Sequence, residues 1–111
     1  MATISKGQNL VTLVNVFTVE PEDQQRLADA LVEATENVMK HKPGYVSANI
    51  HKSFDGTRVV NYAQWRSRED FEAVIENPAP EVAGHLREAE KLGVPDVRLY
   101  EVAFSDGAPR E

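Results

Sequence analysis

The sequence predicts an α+β domain: one antiparallel sheet with helices packed on a single face. Three observations lead there. Residues 10–19, 45–53, 57–65 and 97–104 carry the β-branched and aromatic content of strands, while 20–42, 67–76 and 81–92 repeat apolar residues at helical spacing. Their order, β-α-β-β-α(α)-β, is the ferredoxin-like arrangement. Finally, 10–19 and 59–65 are apolar on both faces of the strand. The chain's own helices can cover one of those faces, so the other predicts a second subunit packed sheet on sheet.

Taken in order, residues 1–9 are polar. In the first strand Leu10, Val14 and Val16 point one way, and Val11, Leu13, Phe17 and Val19 the other. Glu20-Pro21-Glu22-Asp23 opens a helix, with proline early and acids where the helix dipole favours them. Leu27, Ala30, Leu31, Ala34 and Val38 form its apolar stripe, Glu36 and Lys40 pair on its far side, and Pro43-Gly44 ends it. Asp55-Gly56 turns the second strand into the third. A three-residue loop, Phe54-Asp55-Gly56, would pair Ser53 with Thr57 and put His51 on the face of Asn61 and Trp65; a two-residue loop would put it on the other. The three-residue loop is the expectation. Ser67-Arg68-Glu69-Asp70 has the form of a capping box ahead of Phe71, Val74 and Ile75. Asn77-Pro78-Ala79-Pro80 breaks that helix, and a third follows with Val82, Leu86 and Ala89 apolar. With no repeat and no linker, 1–111 reads as a single domain with its core at about 10–104.

Composition narrows the function classes. A net charge of −6 without a basic stripe speaks against nucleic acid or an anionic membrane. The absence of cysteine excludes thiolate catalysis and thiolate metal sites. No apolar run reaches a membrane span or a signal-peptide core, so a cytoplasmic protein is expected. His41, His51 and His85 lack ligand spacing, so no metal site is expected.

The polar candidates are few. Val59, Asn61, Ala63 and Trp65 share one face of the third strand. Asn61 and Trp65 stand about 13 Å apart there, a spacing able to bracket a flat ligand between an amide and an indole. On strand pattern alone, a core strand whose amide is satisfied locally is the favoured reading. His51 is either a base acting near neutral pH or a strand-end histidine beside a turn. Asn15 either binds a ligand or satisfies a neighbouring backbone group. His85 falls on the apolar side of the third helix, where a packed histidine is the commoner outcome.

Lys42-Pro43-Gly44-Tyr45, Ser53-Phe54-Asp55-Gly56-Thr57 and above all Asn61-Tyr62-Ala63-Gln64-Trp65-Arg66-Ser67 resemble the antibiotic biosynthesis monooxygenase family, over about 10–104. The resemblance is strongest to small polyketide-tailoring members that oxidise anthrones to quinones without flavin, haem or metal. It implies a homodimer whose two sheets form a barrel, an aromatic substrate with O2, and no cofactor. By matching position it gives Asn61 and Trp65 the anthrone, sets His51 near the pocket and assigns Arg87 to substrate activation. Phe71 stands where those enzymes carry a tyrosine, and Arg87 falls on the polar side of its helix unless the helix breaks near Gly84. A haem-degrading branch is similar at Asn15 and His85, but has a tryptophan where this chain has Val74. A non-catalytic small-molecule or haem-binding dimer, and an oxygenase of a small quinol or reactive metabolite, are the other readings.

Overall fold

The computed structural model describes residues 10–76 and 78–107, and the expectation for 1–9 lies outside them. The elements run β1 (Val11–Val19), α1 (Gln24–Asn37), β2 (Tyr45–Lys52), β3 (Arg58–Trp65), α2 (Arg68–Glu76), α3 (Pro80–Leu92), β4 (Gly93–Val94) and β5 (Val97–Tyr100). The sheet is antiparallel, in the order β2-β3-β1 with both β4 and β5 on the far side of β1. This is the ferredoxin-like arrangement that the element order predicts.

Local chemistry fixes the joints. Pro21–Asp23 forms a single 3-10 turn that leads into α1, and a second such turn, Met39–His41, follows it. The Glu36–Lys40 pair forms at 2.9 Å. Ser67 caps α2, its hydroxyl oxygen accepting the Asp70 N–H at 3.0 Å. Gly44 takes a φ of +87°, and a Cβ there would strike the Asp70 side chain. Its carbonyl accepts the Arg66 N–H at 2.7 Å, which ties the start of β2 to the end of β3.

Two expectations are corrected. The β2–β3 loop has four residues, not three: Ser53 N–H donates to the Arg58 carbonyl at 3.0 Å, and Lys52 pairs with Val59. The cause is Asp55, whose carboxylate accepts the Ser53 hydroxyl at 2.8 Å and the Thr57 N–H and hydroxyl at 2.9 and 2.7 Å. Those bonds keep Thr57 inside the loop and shift the register by one. They also lower the Asp55 carboxyl to about 2, the Thr57 hydroxyl contributing most. The last strand ends at Tyr100 instead of 104, because Tyr100 already pairs with Thr12 and β1 has almost no length left to offer.

In β1 and β3 the odd-numbered residues face the helices. Leu13, Phe17, Val19, Val59, Ala63 and Trp65 are buried there. The even-numbered residues face away, and among them Val14, Val16, Val60 and Tyr62 stay half-buried.

Candidate functional site

The covered face carries two apolar clusters. Phe17, Val19, Leu27, Ala28, Val59 and Ala89 make one, and Val38, Trp65, Val74 and Val82 the other. Asn61 lies on β3 between Val59 and Trp65, directly opposite Asn15 on β1. Both asparagines are half-buried in mid-sheet beneath the helices. The core therefore has a polar waist.

The two amides are not equivalent. Asn15 Oδ1 accepts the Asp96 N–H at 3.2 Å and so holds the turn between β4 and β5 against the sheet. Asn61 Oδ1 is buried without a hydrogen-bond partner among the described residues. Leaving such an acceptor unsatisfied costs about 1–3 kcal/mol, which a purely structural asparagine has no reason to incur. A primary amide accepts at oxygen and donates at nitrogen, so Asn61 can bind both a hydroxyl and a carbonyl on one edge of a planar molecule.

Trp65 closes one end of the waist. Its ring is 2% exposed and makes edge contacts with Tyr45 and Phe71, each at 5.8 Å between centroids. Phe71 thus braces the indole, and no phenol stands at that point. Tyr45 is the neighbour that sequence reasoning missed. An extra residue between Tyr45 and Ser47 returns Tyr45 to the face of Trp65, and a bulge of this kind leaves no mark in a hydropathy pattern. Burial, with the nearby Glu36 charge adding to it, pushes the Tyr45 phenol above its ordinary pKa.

The other expected residues separate. His51 pairs with Val60 and is exposed on the face away from the helices, a consequence of the corrected loop. Arg87 is exposed on α3, which runs unbroken from Pro80 to Leu92, so the break near Gly84 that would bring it inward is not there. His85 is half-buried on the sheet-facing side of α3, three residues after buried Val82 and four before buried Ala89. Among the described residues no cluster of histidine and carboxylate side chains could hold a metal ion, and no helix is long and apolar enough to cross a membrane.

Two surface hollows lie elsewhere. One of about 240 Å³ sits between Lys42-Pro43 and the α2–α3 connection. A wider one of about 620 Å³ lies between Thr12, Val14 and Tyr62 and the segment 100–106. Asn61 lines neither.

Comparison with known proteins places this geometry. The antibiotic biosynthesis monooxygenase family matches over residues 10–91. A tetracenomycin-F1 monooxygenase from Streptomyces glaucescens is 48% identical over 108 residues, 97% of this chain and 95% of that protein. A monooxygenase from the gene ActVA-Orf6 of Streptomyces coelicolor, crystallised with nanaomycin D, superposes with a TM-score of 0.80 at 28% identity, covering 97% of this chain and all of that one. SnoaB, a cofactor-independent oxygenase from Streptomyces nogalater, shares the fold at a TM-score of 0.68 and 22% identity, over 87% of this chain and 96% of its own.

Proposed function

The chain is a member of the antibiotic biosynthesis monooxygenase family, and on that premise we propose that it oxidises an anthrone-like or quinol-like polycyclic aromatic with O2, unaided by flavin, haem or metal. One observation carries the reading to a place in the molecule. Asn61 holds a buried, unspent amide oxygen in the waist between the two apolar clusters. The relative that acts on tetracenomycin F1 and the neighbour crystallised with nanaomycin D support a fused-ring ligand there.

The chemistry asks little of the protein. An anthrone has an acidic C–H next to its carbonyl system, and loss of that proton gives an enolate. The enolate supplies the electrons: one passes to O2, the two radicals combine to a peroxide anion at the same carbon, this takes up the proton first removed, and loss of water from the hydroperoxide leaves the quinone carbonyl. One oxygen atom stays in the product and the other leaves in water. The Asn61 amide N–H donates to the enolate oxygen, and the surrounding apolar clusters keep water from weakening that bond.

The working unit in this proposal is a homodimer. Val14, Val16, Val60 and Tyr62 form a half-exposed apolar band on the face that the helices leave open. On that face Thr12 Oγ1, Ser47 Oγ and both amide atoms of Gln64 are buried without partners, in one row across three strands. These atoms are buried within the chain itself, so the half-exposed valines and Tyr62 are what a second copy would meet.

The test is oxygen uptake by a 1,8-dihydroxyanthrone solution with purified protein, chelator present and no flavin added. Acceleration over the uncatalysed rate with quinone formed is the expected result. A rate equal to the uncatalysed one, in a protein shown to be folded, refutes the anthrone assignment.

A further inference from the structure

The oxidation just proposed starts with removal of a proton, and we infer that the proton acceptor is His85. The inference rests on that reading of the reaction, but its evidence is separate.

Val82 belongs to the apolar cluster around Trp65, and Ala89 to the cluster around Val59. The helix α3 therefore runs from the Trp65 end of β3 toward the Val59 end. Asn61 and Ala63 occupy the interval on the covered face of β3. His85 occupies the corresponding interval on α3. Residues three and four apart on a helix share a face, so Val82, His85 and Ala89 form one line directed at the sheet. His85 thus lies between the two clusters, level along the sheet with the Asn15–Asn61 pair.

His85 is also uncommitted. It is half-buried, and among the described residues it has no hydrogen bond or ion pair. A histidine kept only for packing usually gives its ring N–H to a neighbouring acceptor. Here the imidazole and the Asn61 amide oxygen are both without a hydrogen-bond partner among the described residues. Imidazole is the side chain suited to take a proton near neutral pH. The other two histidines do not compete: His51 is exposed on the opposite face, and His41 is exposed in the turn after α1.

The step balances with these two residues alone. The C–H bond of the substrate breaks and an N–H bond forms at the free imidazole nitrogen. The electron pair moves through the ring onto the carbonyl oxygen, where the Asn61 amide N–H meets it. The imidazolium then gives that proton to the peroxide anion formed with O2, and the resulting hydroperoxide loses water.

Hydrogen–deuterium exchange without oxygen isolates this step. The anthrone is incubated with protein in D2O under argon, and deuterium entering at the reactive carbon is followed by NMR. Binding is read in parallel from fluorescence of Trp65, the single tryptophan of the chain. Wild type is expected to speed exchange. His85→Gln should lower the enzymatic exchange rate by about a hundred-fold or more with binding retained, and added imidazole should restore part of it in His85→Ala. Asn61→Ala should slow exchange as well, but imidazole should not rescue it. Wild-type exchange in His85→Gln overturns the assignment of His85 and leaves the proposed oxidation standing. A wild type that binds the anthrone without speeding exchange overturns His85 too, and one that neither binds nor exchanges overturns both readings.

Discussion

The two faces of the one sheet have the same strands and opposite economies. The face under the helices is apolar except at Asn15 and Asn61, and Asn15 is spent on the Asp96 N–H. One unpartnered amide is left in an otherwise packed layer. The open face has its unpartnered groups together, Thr12, Gln64 and Ser47 in register across β1, β3 and β2, beside the valines and Tyr62. A single orphan in an apolar layer suits a small ligand. The half-exposed apolar band of Val14, Val16, Val60 and Tyr62 suits a copy of the same surface. The alternation of β3 delivers both from one heptapeptide, since Asn61 and Tyr62 are adjacent in sequence and opposed in space.

The largest effect expected from disturbing this arrangement is at Trp65. With its ring buried between Tyr45 and Phe71, Trp65→Ala should lower unfolding stability by about 3–5 kcal/mol, read from denaturant melts. A loss under 1 kcal/mol would mean that the indole sits in an open pocket and not in the core. Trp65→Phe keeps an aromatic edge and should cost less.

Next comes association. Val60→Glu sets a charge in the apolar band of the open face, where a partner would have to desolvate it. The dissociation constant, measured by sedimentation equilibrium, should rise by at least tenfold with the monomer fold unchanged by circular dichroism. A wild type that is monomeric at micromolar concentration removes the sheet-on-sheet dimer altogether.

The smallest effect lies outside both faces, in the loop that sets their register. The Asp55 carboxyl titrates at about 2 in the fold, below its ordinary value, because Thr57 and Ser53 donate to its charged form. A carboxylate depressed by folding contributes its stability above the unfolded-state value of about 4, and loses it as pH falls through the folded one. Asp55→Asn should therefore lower the melting temperature slightly at pH 7, with the difference from wild type vanishing near pH 2. A difference independent of pH would show that the carboxylate charge is not what holds the loop.

Sequence reasoning reached the fold because each element is written in local chemistry. Pro21 and the acids after it form the turn that leads into the first helix, Ser67 caps the second, and the alternation along 10–19 and 59–65 gives the two-faced strands. The half-buried position of Asn61 was legible too, since an amide in an apolar strand is visible in one dimension; its role in catalysis is the proposal made above. What it missed lies in counts of one residue. Asp55 closes its loop one position later than expected, and His51 moves to the opposite face. The bulge after Tyr45 undoes that slip, so Tyr45 meets Trp65 as the expected register implied while Ser47 to Lys52 do not follow it. Arg87 fails for a different reason: its inward position required a break in α3, and Gly84 alone does not break a helix packed at both Val82 and Ala89.

The central claim is that catalysis belongs to the covered face and association to the open one. Turnover of the anthrone by Asn61→Ala and Tyr62→Ala, side by side at protein concentrations above the dissociation constant, tests it with two adjacent residues. Asn61→Ala should lower kcat/KM by roughly ten- to a thousand-fold with the dimer intact. Tyr62→Ala should leave kcat/KM within about threefold of wild type, because its side chain points away from the waist. The reverse pattern, a silent Asn61→Ala beside a crippled Tyr62→Ala, would contradict the account and move the active site to the other side of the sheet.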